Sequence, residues 1–154
     1  MKNKIGFLGI IVIAALSCFA KDNISGKKSS ALAINSVNND EIKAGEGPKI
    51  LTTIAKFEAA FHAETDSYVN ATQSANTVPQ QGDGWYELGF AENPFSEYYT
   101  FEVKTNPNRR KFVATATLKM NLGNAKAGDY ISIDEEDNKV VSSPALQALI
   151  PDFK

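Results

Sequence analysis

One stretch of this chain admits few folds. Between Gly47 and Tyr68, GPKILTTIAKFEAAFHAETDSY, large apolar side chains recur at Ile50, Ile54, Phe57 and Phe61, with Leu51 and Ala60 beside them. Steps of four, three and four place them on one face of an α-helix, which the pattern predicts from about Pro48 to Glu64. Pro48 suits the first helical turn, where its missing N–H has no partner to lose. Thr65-Asp66-Ser67 then supplies the small polar residues that favour a turn. Burying the four large side chains is worth ~6–12 kcal/mol before conformational entropy is charged, so the stripe needs a surface to cover it.

The second half of the chain offers that surface. Tyr99, Phe101 and Val103 alternate with Tyr98, Thr100 and Glu102, and Phe112, Ala114, Ala116 and Leu118 alternate with Val113, Thr115, Thr117 and Lys119. A period of two marks half-buried strands. Lys104 to Arg110 forms the turn of a wide hairpin between them. Ile131 and Ile133 mark a third strand, Val140 and Val141 a short fourth, and Ala145 to Ile150 a single helical turn. Asn70 to Gly84 and Asn121 to Asp129 read as loops. A one-sided helix and a one-sided sheet bury each other most economically. The prediction is an α+β domain, one long amphipathic helix packed on a 3–4-stranded antiparallel sheet. The small side chains of Ala114 and Ala116 would let the helix come close.

The first 20 residues have another character. Lys2 and Lys4 precede an apolar run from Ile5 to Leu16, and Ser17-Cys18-Phe19-Ala20 offers small residues for a peptidase. This is the layout of a secretory signal peptide, residues 1–20, cleaved after Ala20. Ala15-Leu16-Ser17-Cys18 also matches a lipobox loosely, with Cys18 as the acylated residue. Residues 21–46, rich in Lys, Asn, Ser, Gly and Asp, read as a polar tether, and residues 47–154 as the folded domain. Export places the mature protein in the periplasm, at the cell surface or outside the cell, meeting a membrane only through the N-terminal segment or a lipid anchor. The whole chain has 16 basic and 18 acidic residues. Cleavage removes Lys2, Lys4 and the single cysteine, so the mature chain is more acidic still. It has no disulfide and no basic surface for nucleic acid.

Few residues carry candidate chemistry. His62, the only histidine, has Glu58 and Asp66 four residues to either side. That spacing permits a weak helical ion pair, but a zinc site or a Cys–His pair needs ligands the chain lacks. No catalytic set emerges, and the expectation is a protein that is not an enzyme and needs no cofactor. Asp134, Glu136, Asp137 and Asn138 crowd oxygen ligands into a short loop, which is either a Ca²⁺ site or a solvated hairpin turn. Trp85, Tyr86, Phe90, Phe95, Tyr98 and Tyr99 form an aromatic cluster. If Trp85, Tyr86, Phe95 and Tyr98 are exposed together they form a platform for a sugar or a peptide; otherwise the cluster staples a loop to the sheet.

In order along the chain, AGEGPKILTTIAKFEAAFHAETDSYVNA, WYELGF, YYTFEV, FVATATLKMNLGNAKAGDYISID and PALQALIP resemble the globular part of type IV pilins and type II secretion pseudopilins. The resemblance spans roughly Ala44 to Pro151. It implies a pilin-like domain with a structural or surface-interaction role, and a protein partner or self-assembly. Lys4-Ile5-Gly6-Phe7 looks like the family's prepilin-peptidase site, with cleavage between Gly6 and Phe7. Pilins carry a glutamate at the fifth mature position, where this chain has Ile11, and keep a long apolar helix that here stops at Ala20. A pilin-like domain exported by an ordinary signal peptide fits these departures.

Overall fold

The structure, a computed structural model, describes residues 39–73 and 78–154. Gly6, Phe7, Cys18 and Ala20, and most of the expected tether, lie outside the described residues. A helical lead-in over residues 39–44 runs into the long helix α1 (Glu46–Thr65). Strands β1 (Ala71–Thr72), β2 (Tyr99–Thr105), β3 (Phe112–Leu118), β4 (Tyr130–Asp134) and β5 (Lys139–Val141) follow, with short helices α2 (Gly84–Glu87) and α3 (Pro144–Leu149). The five strands make one antiparallel sheet in chain order, each paired with the next. Among the described residues the sheet therefore has five strands, not three or four. The addition is β1, at the start of the expected Asn70–Gly84 loop; two residues are too few to display an alternating period.

Register sorts the sheet into two faces. Phe101, Ala116, Ile131 and Val141 align across β2 to β5, as do Val103, Ala114 and Ile133. These inner residues are buried or partly buried beneath α1, which lies over β3 and β4. Ala114 and Ala116 are fully buried there, as their small size requires. The outer face carries Thr100, Glu102, Thr115, Thr117, Tyr130 and Val140, all at least partly exposed.

The helix is rolled relative to the expected stripe. Its buried residues are Gly47, Leu51, Ile54 and Glu58, while Ile50, Phe57 and Phe61 are partly buried at the margin of the core. At 100° per residue the two rows differ by about 60° of rotation about the helix axis. Two local fits account for the roll. Phe57 packs against Phe90 with ring centroids 4.6 Å apart, which draws Phe57 toward the loop after α2. At the other end, Gly47 meets the Tyr99 ring, and that ring is fixed because its hydroxyl donates to Ala44 O at 3.0 Å. Ala44 is itself fully buried, so the last part of the span read as a polar tether belongs to the packed helical lead-in.

A methyl at Gly47 would stand 2.7 Å from Tyr99 Cζ. Gly47→Ala is expected to destabilise the fold by ~1–3 kcal/mol, despite alanine's better helix propensity. Urea denaturation checks this through a lowered midpoint with an unchanged m-value.

Candidate functional site

The aromatic segment begins at a tight turn. Gly82 and Gly89 take positive φ on either side of α2, and Asp83 Oδ2 accepts the Gln80 N–H at 2.9 Å. This turn presses Trp85 inward. Trp85 is 1% exposed, its indole N–H donates to Thr72 O at 2.8 Å, and its ring meets Phe90 edge-on at 5.6 Å. Trp85 is thus a core residue that clamps α2 to β1, and it does not join the exposed platform considered from sequence.

The remaining aromatics divide between the two readings. Tyr99 is buried, its hydroxyl pushed up from the ordinary phenol range by burial and by the charge of Glu46. Tyr98 is partly buried, with Lys43 Nζ 5.5 Å from its ring. Tyr86 and Phe95 face solvent, 52% and 74% exposed. Phe95 is held out by its neighbours. The buried Ser96 hydroxyl donates to Glu46 Oε2 at 2.8 Å and accepts the N–H groups of Tyr98 and Tyr99. Lys119 Nζ donates to Ser96 O and lies 5.3 Å from the Phe95 ring. Phe95 borders two open hollows, of about 460 Å³ beside Glu46 and Glu97 and about 300 Å³ beside Phe90 and Pro94, and both reach Lys49 and Ile50 on α1. An exposed ring fixed at its backbone, flanked by an aliphatic side chain and by charges of both signs, can pack against an apolar side chain of another molecule.

The acidic loop is arranged as a turn. Asp134 Oδ1 accepts the N–H groups of Glu136 and Asn138, and Oδ2 accepts Asn138 Nδ2 at 2.8 Å. Burial works to raise the Asp134 carboxyl; the hydrogen bonds from Asn138 and Glu136 and the charge of Lys111 outweigh it and hold it below the ordinary carboxylate range. Asp137 takes φ 62° and pairs with Lys139 at 3.0 Å. These side chains serve the hairpin. Among the described residues no group of three or more His, Cys, Asp or Glu is placed to hold a metal ion.

His62 stacks on Tyr68 at 4.3 Å and has Asp66 3.9 Å away. Its other expected neighbour, Glu58, turns inward instead. Glu58 is 0% exposed, its Oε2 accepts the Val69 N–H at 3.0 Å, and burial pushes its carboxyl up to about 7 against the opposing pull of that hydrogen bond and of Arg109. A buried acid in the middle of α1 is the feature that the apolar spacing did not mark. The available signal was the row Gly47, Leu51, Ile54, Glu58, which runs parallel to the apolar stripe and ends on a charge.

Among the described residues no helix is long and apolar enough to cross a membrane. No protein-family model matches the chain, and no curated protein matches it. Among solved structures it is similar to the high-resolution structure of a type IV pilin from Shewanella oneidensis, at 15% identity and a TM-score of 0.46, over 66% of this chain and 90% of that one.

Proposed function

We propose that the chain is an exported, non-enzymatic bacterial protein whose pilin-like α+β domain acts as a structural or surface-interaction component of the cell envelope. The observation that carries this reading is the placement of the resembling segments. AETDSY closes α1, WYELGF forms α2 and the turn after it, and FVATATL is β3, directly under the helix. Chemistry on the fold lives in its sites, and here the polar side chains of the turns serve those turns. Asn106 Oδ1, for example, accepts the N–H groups of Arg110 and Lys111.

Mass spectrometry of the mature N-terminus tests the export on which this role depends. The expected N-terminus is Lys21, after an ordinary signal peptidase. An N-methylated Phe7 would replace that route with prepilin processing, and an acylated Cys18 would replace it with lipoprotein processing. A chain that keeps Met1 and stays in the cytoplasm would contradict the reading.

The exposure of Phe95 favours a second reading, a secreted module that binds a peptide or sugar through Phe95, Tyr86 and Tyr98. In that case Phe95→Ala abolishes binding to a peptide or glycan panel while leaving the unfolding midpoint in place. A wild-type protein that binds nothing on either panel counts against it.

A further inference from the structure

We propose that Glu58 is a proton-operated latch on the connection between α1 and β1: neutral, its carboxyl seals the Tyr68–Val69 backbone onto the helix, and ionised, it drives that connection open.

The connection is tied at both ends and filled in the middle. At its start Arg110 Nη2 bonds Asp66 Oδ2 at 2.8 Å on the surface. At its far end Asn70 Oδ1 accepts the Thr105 N–H at 2.7 Å. Between these ties Tyr68 and Val69 are buried, and Tyr68 exchanges backbone and side-chain hydrogen bonds with Arg109, N–H to O at 2.8 Å and Arg109 Nε to Tyr68 O at 2.8 Å. Glu58 is the helix's contribution. One carboxyl oxygen holds the Val69 N–H, and the other is buried with no hydrogen-bond partner among the described residues. A neutral carboxyl tolerates that second oxygen far better than a carboxylate does, because an unsatisfied buried charge costs more than an unsatisfied buried dipole.

The groups around it define the balance. From the β2–β3 turn comes Arg109, whose guanidinium also lies 3.8 Å from Glu87. From the connection comes Tyr68, which Glu135 of the β4–β5 turn also influences; Glu135 is paired with Lys111 at 3.4 Å. On α1 itself His62 stacks on Tyr68. The inward residues of β3 and β4 in this region, Phe112, Ala114 and Ile133, are apolar and buried. Burial outweighs Arg109 and the Val69 N–H, so the folded carboxyl titrates near 7 against an ordinary value of 4.5. The folded state therefore holds this proton more tightly than the unfolded chain. Stability from the neutral form is complete below pH 4.5 and is lost as pH rises through 7. The latch is closed in mildly acidic surroundings and loosens above neutrality.

Two measurements on the full chain decide the proposal. The first follows the Glu58 side-chain carboxyl by ¹³C NMR in the wild type. A midpoint near 7 is expected, and one near 4.5 overturns the latch. The second compares the hydrogen-exchange protection of the Val69 amide at pH 5 and pH 8. Wild type should lose about tenfold or more in protection across that span, and Glu58→Gln should lose none. Parallel losses in the two proteins overturn the proposal. Repeating the pair in a His62→Gln background separates the carboxyl from the stacked imidazole. Should Glu58→Gln fail to fold, the wild-type titration decides alone.

Discussion

Trp85→Ala is expected to cost the fold ~3–5 kcal/mol, the range for deleting a large buried aromatic. The indole does three things at once. It fills the space under α2, its N–H satisfies Thr72 O, and its ring abuts Phe90, which in turn packs on Phe57 of α1. Removing it leaves a cavity and an unpaired carbonyl at the start of the sheet, and it loosens the aromatic contact that holds the rolled helix. Urea denaturation measures the loss. Tyr86→Ala serves as the control: Tyr86 is its chain neighbour but points to solvent, so a change within about 0.5 kcal/mol is expected. Because Trp85 is the only tryptophan, its fluorescence gives a second check. Emission should be blue-shifted and protected from iodide in the native protein, and should redden on unfolding. An iodide-quenchable native Trp85 would put the indole on the surface, as a binding platform requires.

The second large effect is expected at Gly84. A methyl there would collide with Asn70 O and stand 2.7 Å from the Cα of Ala71. Both neighbours are backbone, and Ala71 is paired with Val103 in the sheet, so neither can turn aside as a flexible side chain would. The first residue of α2 therefore lies directly against β1. Gly84→Ala is expected to lose about 3 kcal/mol, the upper part of the range for overpacking, and to strip amide-exchange protection from the β1–β2 pairing. Gly89→Ala is the instructive comparison. Its added methyl meets open space, but φ is +84°, so the expected cost is ~1–2 kcal/mol from backbone strain alone. Equal losses at the two sites would mean that α2 does not touch β1.

How much of this could be read from the chain depended on element length. α1 and the paired strands β2 and β3 run for 20, 7 and 7 residues, long enough for periods of 3.6 and 2 to separate cleanly. The alternation at Ala114 and Ala116 also placed those residues on the inner face. What periodicity cannot supply is phase against a partner. Ile54 belongs to both candidate rows of α1, and spacing alone favours the row with two phenylalanines. The choice was made elsewhere, by the fit of Gly47 against Tyr99 and of Phe57 against Phe90, contacts between residues more than thirty apart in sequence. The two residues of β1 are too short for any period, and they are set by pairing with Val103 and Glu102.

The candidate sites follow the same division. Clustering of aromatics between Trp85 and Tyr99 is plain in the sequence, whereas their sorting into a core clamp, Trp85, and an exposed ring, Phe95, is tertiary. The burial of Glu58 is wholly tertiary. A glutamate on a soluble helix is normally solvated, and its burial becomes intelligible only once the chain turns back at Asp66 and brings the Val69 N–H within reach.

The rolled seating of α1 on β3 and β4 underlies the stability effects, the placement of Phe95 and the burial of Glu58 alike. Methyl NOE spectroscopy on a uniformly labelled sample tests it most directly. Cross-peaks are expected from Leu51 and Ile54 to the inner-face side chains of Ala114, Ala116, Ile131 and Ile133. Cross-peaks to those residues from Ile50, Phe57 and Phe61, with none from Leu51, would contradict it.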